Sequence, residues 1–186
     1  MARYTSLTTL MCMMLMAVIL FIVPHKASAA SAAEIDREVD AALKTLLAKS
    51  ESAKALTEKA KGVLVFPGIV KAGFIVGGQY GEGALRESGK TVGYYSSVAA
   101  SYGLQIGIQK FGYALFFMSD SALKWIDKSD GWEIGTGPSI VVVDIGAAGS
   151  LSTTTAQSDI YVFFFSQKGL MAGIGLQGTK ITRINK

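Results

Sequence analysis

The sequence predicts an α+β domain: N-terminal amphipathic helices packed on a glycine-rich, mainly antiparallel, barrel-like β-sheet, with one short additional helix. Three observations lead there. No glycine occurs before residue 62, whereas all 21 lie between Gly62 and Gly178. The stretch from Lys61 to Leu85, KGVLVFPGIVKAGFIVGGQYGEGAL, holds seven of them among Val, Ile, Phe and Tyr. That mixture is poor in a helix and suits strands that bend, bulge or let another backbone come close. Before Gly62, by contrast, apolar residues recur at helical spacing.

Residues 1–29 have the three-part build of a secretory signal peptide. Arg3 supplies the positive start, Leu10 to Val23 is an apolar run of 14 residues ended by Pro24, and Ala27-Ser28-Ala29 offers a small-residue cleavage site. An uncleaved anchor is the competing reading, but the run is short for a bilayer span. Cleavage leaves a single domain, 30–186, helical over 30–61 and mainly β over 62–186. The expected location is then periplasmic or secreted.

The sole cysteine, Cys12, and the sole histidine, His25, both fall in the leader. The remainder can build no thiol nucleophile, disulfide, Ser-His-Asp arrangement or Cys/His zinc site. Its stability must come from an apolar core, which a 50% hydrophobic composition makes feasible. Without Arg3 and Lys26 its charge is only +2, too slight to suggest a nucleic-acid partner. No cofactor is expected.

Ser31 with Glu34 three residues on is a capping signature, and Ile35, Val39, Leu43, Leu46 and Leu47 follow on one helical face. Ser50 and Ser52 break this helix before a second piece with Ala53, Leu56 and Ala60 on one side, which Gly62 is expected to close as a C-cap. Acids (Glu34, Asp36, Glu38, Asp40) precede cations (Lys44, Lys49, Lys54, Lys59, Lys61) along this region. The helix macrodipole favours that order, and a basic surface for anionic headgroups is the functional alternative.

Val63 to Phe66 reads as a short strand stopped by Pro67-Gly68, with an extended chain from Ile69 to Leu85 and a hairpin turn at Ser88-Gly89-Lys90 leading into Val92 to Ser101. Tyr102 to Gln109 alternates apolar and polar, Phe111-Gly112 marks a bulge, and Tyr113 to Met118 is apolar on both faces. Ser119 caps a short helix through Asp127 that buries Ala122, Leu123 and Ile126, and Lys128 to Gly131 is a turn. Trp132 to Ile145 is strand interrupted at Gly135 to Pro138, and Gly146 to Gln157 is loop. A final hairpin pairs Asp159–Ser166 with Leu170–Gln177, and Lys180 to Ile184 adds a last pairing. The pairs Gly73/Gly77, Gly103/Gly107 and Gly169/Gly173 each leave a smooth lane on one strand face.

Nucleotide binding is rejected. No Gly-x-Gly-x-x-Gly opens a helix, and Gly89-Lys90-Thr91 lacks the rest of a phosphate loop. Glu82, Asp144 and Asp159 stand in apolar or glycine-rich stretches, yet isolated strand carboxylates are better read as facing solvent or pairing with a cation than as an acid–base pair. The Phe163-Phe164-Phe165 run is expected to be buried on both faces.

The blocks KAKGVLVFPGIVKAGFIVGGQYGEGAL, GLQIGIQ and SQKGLMAGIGLQG, in this order, resemble the SYLF domain of secreted bacterial proteins and eukaryotic endocytic adaptors. The resemblance implies a non-enzymatic lipid-binding domain whose eukaryotic members are associated with phosphoinositide membranes and, in some cases, actin. Carried onto this chain, it implies lipid-binding positions at Lys54, Lys59, Lys61 and Lys71, and a partner in the anionic phospholipid membrane surface, approached peripherally. A secretion signal removes cytosolic actin from reach. The rival reading is a structural or protein-interaction module of the cell envelope without a lipid ligand.

Overall fold

The computed structural model describes residues 30–128, 130–143, 158–168, 176 and 178–186. Helix α1 (Ala32–Lys49) starts where the sequence predicts, with Ser31 Oγ accepting from the Glu34 N–H at 3.3 Å. Ser50 ends it, its backbone N–H bonded to the Leu46 carbonyl, and also caps α2 (Glu51–Thr57) through a bond from the Ala53 N–H. One serine in extended conformation thus serves two helices, which is why the chain breaks there. Gly62 is not the cap of α2. Glu58 holds that position, and Gly62 begins the first strand, paired with Phe117.

Strands β1 (Gly62–Glu87) and β2 (Lys90–Phe117) form one long antiparallel ribbon, joined at a turn in which Ser88 and Gly89 both have positive φ, 49° and 79°. Paired positive φ values match the twist of the flanking strands, as the Ser-Gly-Lys signal predicts. Pro67-Gly68 does not stop β1. The two residues are accommodated between Phe66 and Ile69, opposite Gly112, as a bulge. The predicted irregularity at Phe111-Gly112 is real, but the extra residues belong to the strands on either side, β1 and β5.

Drawn straight, β1 alone would run about 85 Å. Instead it coils. A side-chain carbon placed on Gly73 would lie 2.4 Å from the Gly77 Cα, although residues four apart in a regular strand are separated by about 13 Å. So the Gly73/Gly77 pair is where the backbone folds onto itself rather than a lane along one face. Downstream, Gly81 packs on Gly68 and Ile69, and Gly83 on Val65 and Phe66, bringing the two halves of β1 together.

After β2 come α3 (Asp120–Leu123), capped by Ser119 Oγ, then β3 (Trp132–Glu133), β4 (Ile140–Val143), β5 (Ile160–Lys168) and β6 (Lys180–Ile184). Helix α3 is shorter than expected and continues as turns to Asp127, with Ala122 and Ile126 buried. The strand order is β3-β6-β2-β5-β4, with β1 on the other edge of β2, and only β4 runs parallel to its neighbour. The result is an α+β fold with a curled, mostly antiparallel half-barrel. The expected partner of β5 over 170–177, the loop at 146–157, Asp144 and the Gly169/Gly173 pair lie outside the described residues.

Strand alternation divides the core in two. Leu64, Phe66, Tyr113, Leu115, Phe117, Val162 and Ile181 point to the inner side with Trp132 and Ile126. Val63, Val65, Ala114, Phe116, Tyr161 and Phe163 point to the other side, where Ile35, Val39, Leu46, Ala53 and Leu56 of the helices cover them. Phe163 and Phe165 of the phenylalanine run are buried as expected, while Phe164 is partly buried. Phe163 and Phe165 face the helices, and Phe164 lies 5.9 Å from the Tyr113 ring on the inner side.

Candidate functional site

The four lysines singled out from the sequence do not share an environment. Lys54 on α2, Lys59 in the turn after it and Lys61 just before β1 are all exposed, within eight residues of chain. Lys71 is 7% exposed. It lies two residues after Ile69, hence on the inner face, opposite Gln109, whose own side chain is buried with Oε1 unpartnered. Three of the four are therefore exposed to solvent, and the fourth is set inside the half-barrel.

Beside the junction runs a cleft of about 370 Å³ between α1, the α2–β1 connection and the hairpin tip, lined by Asp40, Leu43, Glu58, Ala60, Arg86 and Gly89 among others. Its charges are largely spoken for. Arg86 bonds Asp40 at 2.6 Å and lies 3.4 Å from Asp36, and it also contacts Thr91. Asp36 further accepts from Thr91 at 2.7 Å and from Tyr94 at 2.9 Å. Burial, reinforced by the Asp36 hydrogen bond and charge, pushes the Tyr94 phenol above its ordinary range. Two acids that the sequence assigns to the helix dipole thus clamp α1 to the hairpin, a role only Arg86 in an apolar strand could have signalled.

A second concavity, about 660 Å³, opens on the outer face of the ribbon near the start of α1. Val70, Ala72, Tyr80 and Val98 line it, with Ala30, Ile35, Glu38 and Glu82 on the helix side. Glu82 is held from both sides. Lys186 Nζ donates to Oε2 at 2.7 Å and to the Ala30 carbonyl at 3.0 Å, while the Tyr80 hydroxyl donates to Oε1 at 2.7 Å. Burial raises the Glu82 carboxyl, but the bonds from Lys186 and Tyr80 outweigh it and leave the carboxyl below its ordinary range. Burial and the same Glu82 contact push Tyr80 up to about 12. Asp159, the other strand-region acid, accepts from the Ser139 N–H and hydroxyl at 2.9 and 2.7 Å, joining two loops. Both acids are thus tied to neighbouring donors, and among the described residues no cluster of His, Cys, Asp and Glu could hold a metal.

Residues 98–186, from the middle of β2 to the last strand, match the family described as Ysc84, Las17-binding protein actin regulator. Over this region the chain is similar to Ysc84 (SYLF) domains. SYLF domains are lipid- or actin-binding modules rather than a known enzyme family. The matched SYLF span contains Val98, Lys110 and Lys186 but none of Lys54, Lys59, Lys61 and Lys71. Among curated proteins, none matches the chain.

Proposed function

We propose that this protein is a non-enzymatic, peripheral phospholipid-binding module of the bacterial cell envelope. The observation behind this reading is the exposure of Lys54, Lys59 and Lys61 together where α2 gives way to β1. Ammonium groups there are free to meet anionic headgroups, each worth about 1 kcal/mol near such a surface. Three acting together imply a partition constant about a hundredfold higher on anionic than on neutral vesicles at low salt, falling as salt rises. Flotation with phosphatidylglycerol and phosphatidylcholine vesicles tests this. Replacing Lys54, Lys59 and Lys61 by Gln should abolish the difference, and adding Lys71→Gln should not deepen the loss, since Lys71 faces inward. Equal binding to both vesicle types, or an unchanged triple variant, overturns the proposal.

One observation favours a protein-interaction module instead. Among the described residues β4 is an edge strand, and it exposes Val142 at 58% and Val141 at 37%, an apolar edge of the kind that recruits another strand. A stoichiometric envelope partner that is lost on Val142→Lys and retained without phospholipid would support this reading.

A further inference from the structure

The outer face of the β1–β2 ribbon is apolar where a sheet open to water is ordinarily polar. Directly opposed residues share a face, so the pairs Val70/Lys110, Ala72/Ile108 and Tyr80/Val98 present their side chains on the outside. Val70, Tyr80 and Val98 are each about half exposed, and Ile108 is 72% exposed. Because β1 folds back on itself, Val70 and Ala72 of its first half and Tyr80 of its second half become walls of one groove instead of scattered surface residues. Its volume, about 660 Å³, lies within the range of small-ligand sites, roughly 300–1,000 Å³. Gly68, Gly78 and Gly81 form part of its lining, leaving a smooth surface without side-chain obstruction.

Charge is distributed unevenly around this groove. At the Gly68 side the Lys110 side chain reaches across, its Nζ 3.5 Å from where a Gly68 side chain would begin. On the helix side stand Glu38 and Glu82, the latter already neutralised by Lys186. An anion is repelled from the helix side and attracted to Lys110.

We infer that the groove seats one linear aliphatic chain of an anionic lipid, lying over Val70, Ala72, Tyr80 and Val98 with its acidic head beside Lys110. This deepens the lipid reading above by adding a chain-binding site to a headgroup-facing surface. The two are separable, because a soluble fatty acid presents no membrane.

The probes are octanoate, decanoate and dodecanoate, with dodecanol as the uncharged counterpart, titrated calorimetrically below their aggregation concentrations into the protein. Chain burial predicts about tenfold tighter binding for each two methylenes added. Val98→Asp should weaken dodecanoate at least tenfold, and Ala72→Trp, which fills the groove without adding charge, should do the same. Val142→Asp, at an exposed valine on β4 outside the groove, should change nothing. Lys110→Gln should weaken dodecanoate about fivefold and leave dodecanol unaffected. Circular dichroism establishes that each variant folds, and the two groove variants guard against the loss of either. No dependence on chain length overturns the inference, as does unchanged binding in both groove variants or a loss in Val142→Asp equal to theirs. Retained vesicle binding alongside these negatives would leave the junction lysines standing and remove the groove alone.

Discussion

The two halves of the β1–β2 ribbon are built from similar residues and have opposite fates. From Gly62 to Phe66, paired with Tyr113 to Phe117, the ribbon is sandwiched: one face meets Trp132 and Ile126, the other meets the helices, and every residue of both segments is buried. Farther along, Val70, Val76, Tyr80, Val98 and Ile108 stand exposed on a face that nothing among the described residues covers. The difference lies in coverage rather than composition. Helices α1 and α2 roof one end of the sheet and leave the apolar residues farther along the ribbon exposed.

Removing a large side chain from each half is the strongest test of that contrast. Phe116→Ala, in contact with the Phe163 ring at 5.2 Å and fully buried, should cost about 3–5 kcal/mol in urea denaturation. Ile108→Ala should stay within about 0.5 kcal/mol. Comparable losses at the two sites would show that the outer face is covered in the folded protein.

Glycines sharpen the same comparison at lower amplitude. A side-chain carbon at Gly83 would sit 2.2 Å from the Val65 carbonyl oxygen, against backbone that cannot yield, whereas one at Gly78 meets nothing closer than 3.8 Å. Gly83→Ala should therefore destabilise by about 2–3 kcal/mol. Gly78→Ala should be neutral or stabilise by up to about 1 kcal/mol by restricting the unfolded chain. Thermal unfolding of the pair measures both.

Where α1 meets the ribbon, Arg86→Met should cost about 2 kcal/mol, because it strands Asp36 and Asp40 facing one another without their cation. The double change with Asp36→Asn should recover part of that loss. A simple sum of the two single effects in a double-mutant cycle would mean that the clamp does not act as a unit.

Features decided by a few neighbouring residues are legible in the chain: the Ser31 and Ser119 caps, the helix break at Ser50, the Ser88-Gly89 turn, and the burial of Phe163 and Phe165. Features decided by register or by the path of the coil were not. Lys71 reads as a surface cation until the bulge at Pro67-Gly68 is placed, after which it shares the inner face of Ile69. A strand that ended at Pro67-Gly68 would carry no phase across to Lys71, whereas the bulge does. The groove was equally hidden, since Ala72 and Tyr80 become neighbours only because the chain folds over at Gly73 and Gly77. Arg86 gives no signal of its own in the sequence, because the place of its acids at the start of a helix already accounts for them.

The smallest effect belongs to the latch at the groove's edge, where Lys186, Glu82 and Tyr80 meet the Ala30 carbonyl. With its carboxyl held below the ordinary value of 4.5, Glu82 stabilises the fold fully above that value and loses its contribution as pH falls through the depressed folded one. Glu82→Gln should thus cost about 1 kcal/mol near neutrality, and the gap to the parent protein should close on acidification below about pH 4. Tyr80 works in the opposite direction. Its phenol is raised from 10.0 to about 12, so its contribution is complete below 10.0 and disappears as pH rises through about 12. Urea midpoints of the parent, Glu82→Gln and Tyr80→Phe across both limits separate the two arms. A gap for Glu82→Gln that persists unchanged in acid would mean that the carboxylate is not what Lys186 holds, and that Lys186 is tied to the start of α1 through the Ala30 carbonyl alone.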